Sequence, residues 1–366
     1  MFAIFRAFRW WWSKRLQLSD FDFELPEDRI ALRPAMPRDS ARMLVVHRDG
    51  TLEDRQVTDL PKYLKPSDVL VFNETRVIPA ALSGVRPARD DAGSDVSVDI
   101  NLTERLSENT WRALARPGKR LKAGDRVLIA EDFTAELTQK HPSGEIDLRF
   151  NQTGEALDKA LHEHGAMPLP PYIARRRAAD RQDRTDYQTV FAANEAGSVA
   201  APTAGLHFTP ELLAAVDASG ARRKQVTLHV GLGTFAPVKD DQLERHTLHE
   251  EWRHLSEETA AALNAARWAG GRIIPVGTTA LRTLESCCDV EGQLSAKTGP
   301  TNIFIKPGDP IRATDMLMTN FHLPKSTLFM LVCALMGIDL MQNAYAHAVQ
   351  ENYRFYSYGD ACLLIP

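Results

Sequence analysis

Two hydrophobic patterns alternate along the chain and predict an α/β protein. Short apolar runs at residues 43–46 and 69–72 are typical of buried strands. Farther along, helical periodicity at residues 155–165 is followed by apolar runs at 225–230 and 272–277 that alternate with helical segments. Such alternation favours parallel strand pairing in an α/β layer or barrel.

A different texture interrupts this pattern. Residues 94–102 and 145–150 alternate strictly between polar and apolar positions, as half-buried strands do. Three further strand candidates lie between them, at 111–116, 126–130 and 133–138, and turn residues separate all of them. So many short strands in one stretch predict a compact β-barrel.

The changes of texture set the predicted domain limits. Residues 18–80 plus 155–366 form a larger α/β, barrel-like catalytic domain, and residues 81–154 form an inserted, smaller all-β barrel domain. Residues 1–17 are an atypical extension with four basic residues and no acid. They lack the cleavage site and the uninterrupted apolar core of a signal peptide, so we expect a dispensable or mis-assigned start.

Helix signals are explicit in the second half of the chain. Thr209 is an N-cap candidate followed by proline, Gly220 ends that helix, and Ser256 opens another that ends near Gly270. The apolar stretch 327–338 falls short of the roughly 20 residues that a membrane helix needs. It therefore predicts a buried core helix and no membrane partner.

Composition narrows the class of protein. With 44% hydrophobic and 25% charged residues over 366 positions, the chain is globular rather than disordered. The 44 Lys plus Arg against 48 Asp plus Glu give −4, so a polyanion must meet local basic patches. The four cysteines show no C-x-x-C spacing, which disfavours a disulfide framework and a four-thiolate zinc site and favours the cytoplasm.

Two familiar motifs are present only in part. Residues 231–236 fit the G-x-G-x-x-A pattern of dinucleotide binding, but no apolar helix face follows, so a glycine turn beside a ligand is favoured over a nicotinamide-dependent oxidoreductase. His246, His249 and His254 suggest a metal, but the five-residue spacing from His249 to His254 is one too many for H-E-x-x-H. We predict no metal and a histidine cluster at the surface or against a substrate.

Polar side chains gather at turns beside apolar strands. Buried polar groups need partners, so these turns are expected to line one deep cleft. They lie at residues 73–76, 200–207, 229–234, 277–285, 319–326 and 358–360.

Two basic segments are candidate RNA contacts, because their density suits phosphate binding. They are Arg175, Arg176 and Arg177, and Arg222, Arg223 and Lys224. Asp180, Asp183 and Asp186 interleave with the first segment, so a solvated loop joined by ion pairs remains the alternative there.

Seven segments together resemble one family, S-adenosylmethionine:tRNA ribosyltransferase-isomerase of queuosine biosynthesis, and the similarity spans residues 18–365. The segments are residues 25–46, 71–80, 187–213, 227–238, 276–286, 319–337 and 353–363. Three departures from the family pattern are Ala280 in place of the usual Ser, Tyr356 in place of Phe, and the stretch after residue 308.

The resemblance implies a reaction and its partners. The ribosyl part of S-adenosylmethionine is transferred and isomerised onto 7-aminomethyl-7-deazaguanine at the wobble position of tRNA, with release of adenine and methionine. S-adenosylmethionine is consumed as a substrate, and no cofactor is permanently bound. A larger α/β domain with an inserted β-barrel, in a monomer, is expected. A non-catalytic tRNA-binding protein on the same fold is the alternative.

The reaction needs a base near the sulfonium, and histidine suits that role. His207 is the leading candidate, with His229 and His322 as alternatives. Arg282 and Glu285 lie three apart on a predicted helix, so both can face the same site. Arg282 is then expected to bind the methionine carboxylate or a tRNA phosphate, and Glu285 an amine or a ribose hydroxyl. An intrahelical ion pair between the two is the alternative.

The remaining predicted residues line the cleft or stack on a base. The lining candidates are Asn73, Arg76, Thr203, Gly205, Gly231, Gly233, Thr278, Thr279, Asn320, Ser326, Tyr358 and Asp360, and the stacking candidates are Phe235, Phe321 and Tyr358.

Overall fold

Strands alternate with helices through most of the computed structural model, which describes residues 16–90, 93–193, 196–231, 248 and 250–366. The strands are β1 (Arg42–His47), β2 (Leu52–Gln56), β3 (Val69–Asn73), β4 (Arg76–Val77), β5 (Ala81–Arg86), β6 (Val96–Arg105), β7 (Thr110–Arg116), β8 (Arg126–Leu128), β9 (Thr134–Lys140), β10 (Ile146–Phe150), β11 (Ala196–Ser198), β12 (Arg222–Leu228), β13 (Glu251–Leu255), β14 (Ile273–Val276), β15 (Lys297–Thr301), β16 (Leu317–Asn320) and β17 (Ala361–Ile365). The α-helices are α1 (Gly154–His164), α2 (Pro171–Ala174), α3 (Asp183–Asp186), α4 (Pro210–Ala218), α5 (Glu257–Trp268), α6 (Thr278–Cys287), α7 (Thr327–Met336) and α8 (Ile338–Gln350). Short 3-10 helices are Leu18–Phe21, Glu27–Arg29, Arg38–Ser40, Val57–Tyr63, Gly118–Arg120 and Thr203–His207.

The larger sheet has nine strands in the order β15-β13-β12-β3-β14-β16-β17-β1-β2. Its centre is parallel: β12, β3, β14 and β16 run in one direction. Every residue of β3 and β14 is buried, as expected of a parallel sheet covered on both faces. The sheet is open, with β15 and β2 as its outer strands. Of the two predicted arrangements, a layer or a barrel, the larger domain therefore forms the layer.

Alternate residues of the central strands pack against helices on opposite faces. Val69 and Val71 join a core with α5 and α6, whereas Leu70 and Phe72 join a core with α4. A third core contains α7 and α8 and lies against β1, β16 and β17. The predicted α/β class of the larger domain is confirmed.

A separate closed barrel is formed by six strands in the order β10-β7-β6-β5-β8-β9. The predicted all-β barrel is therefore confirmed, and its strands all lie inside residues 81–154, although the exact domain limits stay a prediction. The sequence pattern missed β5. Gly84 sits in this strand because β8 passes close: a Cβ there would lie 2.6 Å from the Leu128 carbonyl oxygen.

The predicted helix caps are present. The Thr209 and Ser256 hydroxyls accept backbone N–H bonds at the starts of α4 and α5. The predicted core helix is α7, which ends at Met336; Gly337 (φ +95°) follows it, and a bend of 115° leads into α8. Among the described residues, none of the helices is by itself long and apolar enough to span a bilayer, and only α7 and α8 taken together meet that criterion.

Candidate active site

The carboxyl ends of the four parallel strands form one edge of the larger sheet, where α/β folds usually bind ligands. The strands end there at Leu228, Asn73, Val276 and Asn320. Helix α6 begins at the same edge, directly after Gly277, whose backbone N–H donates to the Met318 carbonyl at 2.7 Å. Most of the polar turns that the sequence analysis grouped into one cleft follow these strand ends.

His207 lies at this edge in a network of buried polar groups. Its Nε2 accepts a hydrogen bond from the Asn320 amide at 3.2 Å, and the Thr203 hydroxyl donates to the Asn320 oxygen at 2.9 Å. Burial, with a smaller effect of nearby Arg354 and Arg38, lowers the pKa of His207 to about 3. The ring is therefore neutral at ordinary pH, which is the state of a proton acceptor, but its low pKa weakens the drive to accept one.

His229 follows β12 and is only half-buried. Its Nδ1 lies 2.9 Å from the Thr75 hydroxyl, just beyond the end of β3. The ring of Trp252 is stacked on it, with centroids 5.1 Å apart and planes 17° apart. Gly197 approaches from another side, where a Cβ would lie 2.5 Å from the imidazole Cε1. His229 is thus positioned by three elements while its ring remains partly open to solvent.

His322 lies two residues beyond β16 and is 8% exposed. Its Nε2 is 3.0 Å from the Thr319 hydroxyl, and its backbone N–H donates to the Tyr345 hydroxyl at 3.0 Å. Burial lowers its pKa to about 3. Of the three predicted histidines, His229 is therefore the most exposed.

Arg282 and Glu285 share a turn of α6 but serve different contacts. The Arg282 guanidinium forms a buried ion pair with Glu251 of β13, with Nη2 and Oε2 2.6 Å apart. The other Glu251 oxygen lies 3.4 Å from the Gly231 backbone N–H. The expected alternative of an intrahelical ion pair with Glu285 is not what the structure shows.

The Glu285 carboxylate holds a neighbouring loop. Its oxygens accept bonds from the backbone N–H groups of Arg312 and Ala313, both at 2.9 Å, and from the Thr314 hydroxyl at 3.0 Å. This carboxylate therefore has structural partners at both oxygens.

Several lining candidates lie at the same edge. Asn73 bridges the backbone of Leu228 with two 3.0 Å hydrogen bonds, and the Arg76 guanidinium donates to the Ala193 carbonyl at 2.8 Å. Gly205 passes close to Phe191, where a Cβ would be 2.7 Å from the ring. Further predicted residues at the edge are Thr203, Gly231, Thr278, Thr279 and Asn320, whereas Gly233 lies outside the described residues.

Other lining candidates form hydrogen bonds to other parts of the protein. The Ser326 hydroxyl caps α7 by accepting the Phe329 N–H at 3.1 Å. Asp360 binds the backbone N–H groups of Arg42 and Arg354 at 3.1 and 2.8 Å. The Tyr358 hydroxyl is directed at buried Asp183, 3.3 Å away.

Comparison with known proteins decides which family these features belong to. A family model described as queuosine biosynthesis protein matches residues 18–364. The chain belongs to the queuosine biosynthesis protein family. It is 66% identical to the S-adenosylmethionine:tRNA ribosyltransferase-isomerase of Hyphomonas neptunium over 96% of this chain and 100% of that protein. It is 55% identical to the enzyme of the same name from Caulobacter vibrioides over 95% of this chain and 98% of that protein.

A solved structure supports the same family. The crystal structure of S-adenosylmethionine tRNA ribosyltransferase from Thermotoga maritima is 35% identical, with a TM-score of 0.54, covering 94% of this chain and 100% of that chain. The resemblance noted from the sequence motifs is thereby confirmed.

The basic segments of this queuosine biosynthesis family member differ in their surroundings. Arg177 forms two bonds to buried Asp183 at 2.6 and 2.7 Å, and Arg176 pairs with Glu27. Arg175 is exposed. The ion-paired loop left open by the sequence thus describes Arg176 and Arg177.

The second basic segment begins β12, at the opposite end of that strand from His229. Arg223 forms two bonds to Asp217 of α4, and Lys224 pairs with Glu258 of α5. Arg222 is exposed.

The predicted stacking residues lie in different places. Phe321 is fully buried in the core with α7 and α8, Tyr358 is 2% exposed, and Phe235 lies outside the described residues. Sequence reasoning missed Trp252, which is 42% exposed beside His229. Hydrophobic alternation could not reveal it, because the buried positions of β13 include Glu251 and Arg253 whereas the exposed position is the tryptophan.

The described residues give no support to a metal site or to a dinucleotide site. No group of three or more His, Cys, Asp or Glu side chains there is arranged to hold a metal ion. His246 and His249 lie outside the described residues, as does the dinucleotide-like motif after Gly231. His254 instead contacts the Thr298 hydroxyl at 2.7 Å.

Proposed function

We propose that this chain is an S-adenosylmethionine:tRNA ribosyltransferase-isomerase that modifies the wobble position of tRNA. It transfers and isomerises the ribosyl moiety of S-adenosylmethionine onto 7-aminomethyl-7-deazaguanine. The observation that carries the proposal is the match, over nearly the whole of both chains, to relatives of that name. The monomeric state and cytoplasmic location expected from the sequence stay predictions.

The reaction defines what the site must provide. The glycosidic bond to adenine, the carbon–sulfur bond to methionine and the bond from C1′ to the ring oxygen break. C1′ gains bonds to the aminomethyl nitrogen and to C5′, and the ring oxygen bonds to C5′ to close the epoxide. Of the two protons lost, from C5′ and from the amine, one leaves with adenine and the other is released, which balances the charge of the sulfonium. Because the sulfonium acidifies the neighbouring C5′ protons, the first requirement is a base placed near C5′. The second is a polar environment that assists the departure of adenine.

His229 suits the first requirement. Its ring is half-buried and lies at the edge where β12 and β3 end, with its Nδ1 oriented by the Thr75 hydroxyl. The hydroxyl holds the imidazole in place through Nδ1, and an imidazole that is partly exposed beside a strand edge can take up a proton near neutral pH. We therefore assign proton abstraction to His229 rather than to His207, which is buried and whose pKa is lowered to about 3.

His207 suits a supporting role. With Asn320 and Thr203 it forms a connected polar wall. Such a wall can bind a ribose hydroxyl or the departing adenine through hydrogen bonds that need no change in net charge. Thr278 and Thr279 in the first turn of α6 add hydroxyls beside it.

The overall reaction is tested by mass spectrometry of tRNA that carries 7-aminomethyl-7-deazaguanine. After incubation with the protein and S-adenosylmethionine, we expect the epoxycyclopentanediol group on the RNA and an equal amount of free adenine. RNA binding without either product would instead favour the non-catalytic tRNA-binding protein.

The base assignment has its own test, exchange of the C5′ protons of S-adenosylmethionine with deuterium from solvent, followed by NMR. We expect His229→Asn to abolish exchange and His207→Asn to leave it measurable. His162→Asn is the matched control because His162 is exposed on α1, a helix that packs against the barrel core through Leu157 and Leu161. Exchange at the wild-type rate in His229→Asn would remove His229 from this role.

A further inference from the structure

Three aromatic rings lie side by side on one face of the sheet next to the candidate active site. The rings of His229 and Trp252 are 5.1 Å apart and nearly parallel, and those of Trp252 and His254 are 6.1 Å apart with planes 16° apart. We call these three residues the aromatic ladder. Nearly parallel rings at this spacing form a stack that another flat ring can extend.

Strand register explains the ladder. β12 and β13 are antiparallel, with Thr227 opposite His254, and the His229 N–H donates to the Trp252 carbonyl at 2.9 Å. Side chains alternate between faces along a strand, so Trp252 and His254 share one face. Glu251, Arg253 and Leu255 are buried on the other. The ladder is thus built into the sheet rather than carried by a loop.

The ladder is accessible. Trp252 is 42% exposed, although an indole is among the side chains that gain most from burial. One side of its β13 neighbour His254 is held by Thr298 of β15. An exposed indole between two imidazoles, next to a polar strand edge, indicates a binding surface more than a packing surface.

The ladder adjoins the candidate active site, and a groove lies on the same face of the sheet. His229 belongs to both the ladder and the edge, through its contact with Thr75. On the same face of β12, a groove of about 640 Å³ lies between α4 and the strand, lined by Phe72, Phe191 and the segment from Arg222 to Gln225. A single-stranded ligand that crosses this face toward the site would pass Arg223, which pairs with Asp217 of α4, and then the aromatic rings.

We propose that the aromatic ladder, centred on Trp252, stacks an unpaired base of the RNA anticodon loop and so positions the loop at the active site. This inference rests on the proposed function and adds an RNA-binding residue to it. Unpaired bases in RNA loops are commonly bound by stacking on aromatic side chains, because every base offers a flat face. The open setting of Trp252 suits a base presented by a macromolecule better than the adenine of a small, enclosed substrate.

The test compares Trp252→Ala with Trp252→Phe and with Trp268→Ala. Binding of an anticodon stem-loop RNA is measured by fluorescence anisotropy, and binding of S-adenosylmethionine by calorimetry. Trp268 is the matched control because it is 91% exposed on α5, which covers the other face of the sheet. Thermal unfolding of each variant shows that the fold is retained.

We expect Trp252→Ala to weaken RNA binding about 5- to 150-fold, the loss that follows removal of one stacked base. Trp252→Phe, which keeps a ring, is expected to retain most of the affinity, and Trp268→Ala all of it. The dependence of RNA affinity on salt is expected to be unchanged in Trp252→Ala, because no phosphate contact is removed. Affinity for S-adenosylmethionine is expected to stay at the wild-type value.

Other outcomes are distinguishable. RNA affinity that is unchanged in Trp252→Ala, or equally reduced in Trp268→Ala, overturns the proposal. A loss confined to S-adenosylmethionine assigns the ladder to adenine and also overturns it. If the wild type binds the stem-loop through Trp252 but forms no product, the proposed function fails while the ladder assignment stands.

Discussion

Replacement of Arg282 by alanine is expected to destabilise the protein strongly, because the residue belongs to a buried ion pair. The side chains of Arg282 and Glu251 are only 3% and 4% exposed, and their charged atoms are 2.6 Å apart. Removal of Arg282 leaves the buried Glu251 carboxylate without its guanidinium partner, and loss of one partner of a buried ion pair typically costs about 3–5 kcal/mol. Against a total stability of about 5–15 kcal/mol, that is a large share.

The assay is urea unfolding followed by tryptophan fluorescence, since Trp252 adjoins Glu251 in β13. We expect the unfolding midpoint of Arg282→Ala to fall sharply. The double variant Arg282→Met with Glu251→Leu is expected to recover most of the loss, because apolar side chains of similar size can replace a buried pair without penalty. Arg223→Ala, which breaks the exposed pair with Asp217, is the control and is expected to cost less than about 1 kcal/mol.

The reasoning is refuted if Arg282→Ala unfolds within about 0.5 kcal/mol of the wild type. If that variant also lost affinity for S-adenosylmethionine, the guanidinium would be a ligand group, as the sequence first suggested.

Three further predictions concern pH, a loop and a glycine. Burial lowers the pKa of His207 and His322 from 6.5 to about 3, so between these pH values the unfolded chain binds protons that the folded chain does not. The free energy of unfolding is therefore expected to fall by about 1.4 kcal/mol per pH unit per histidine as pH drops from 6.5. Urea titrations at stepped pH values measure this, and a flat profile would contradict it. Glu285→Gln is expected to lower the free energy of unfolding by about 1–3 kcal/mol and to speed hydrogen exchange in the loop that Glu285 binds. The affinity for S-adenosylmethionine should be unchanged. A selective loss of that affinity would favour a binding role for Glu285. Gly197→Ala is expected to displace the His229 ring, because the added Cβ would overlap it. Turnover should fall at least about 100-fold, while the free energy of unfolding falls by only about 1–3 kcal/mol. Normal turnover would argue against His229 as the base.

Much of the fold was predictable because hydrophobic period is a local signal. The barrel strands and the capped helices appear in the sequence as alternation and as Thr or Ser before an apolar run. β5 was missed because Gly84, needed for the close approach of β8, interrupts the alternation. The order of strands in the larger sheet depends on pairings between distant segments, which no local pattern records.

The candidate site was predictable as a set of turns but not as a set of roles. Polar residues after strands located the edge that holds Asn73, His229 and Asn320. The roles of the other residues depend on their hydrogen-bond and ion-pair partners. Glu285 binds a loop, and Arg282 of α6 pairs with Glu251 of β13. Such contacts join segments far apart in the chain, so the residue types alone cannot reveal them.

The inserted barrel has a consequence for the order of folding. The chain enters and leaves it side by side, since Ala81 and Ala166 exchange backbone hydrogen bonds of 3.1 and 2.7 Å. The barrel strands are neighbours in sequence, so the barrel can close while most of the larger domain is still being synthesised. The larger sheet cannot, because Met43 in β1 pairs with Ala361 in β17. Strand β1 can pair early with β2, but its other edge and both edges of β3 stay unpaired until the distant half of the sheet emerges from the ribosome.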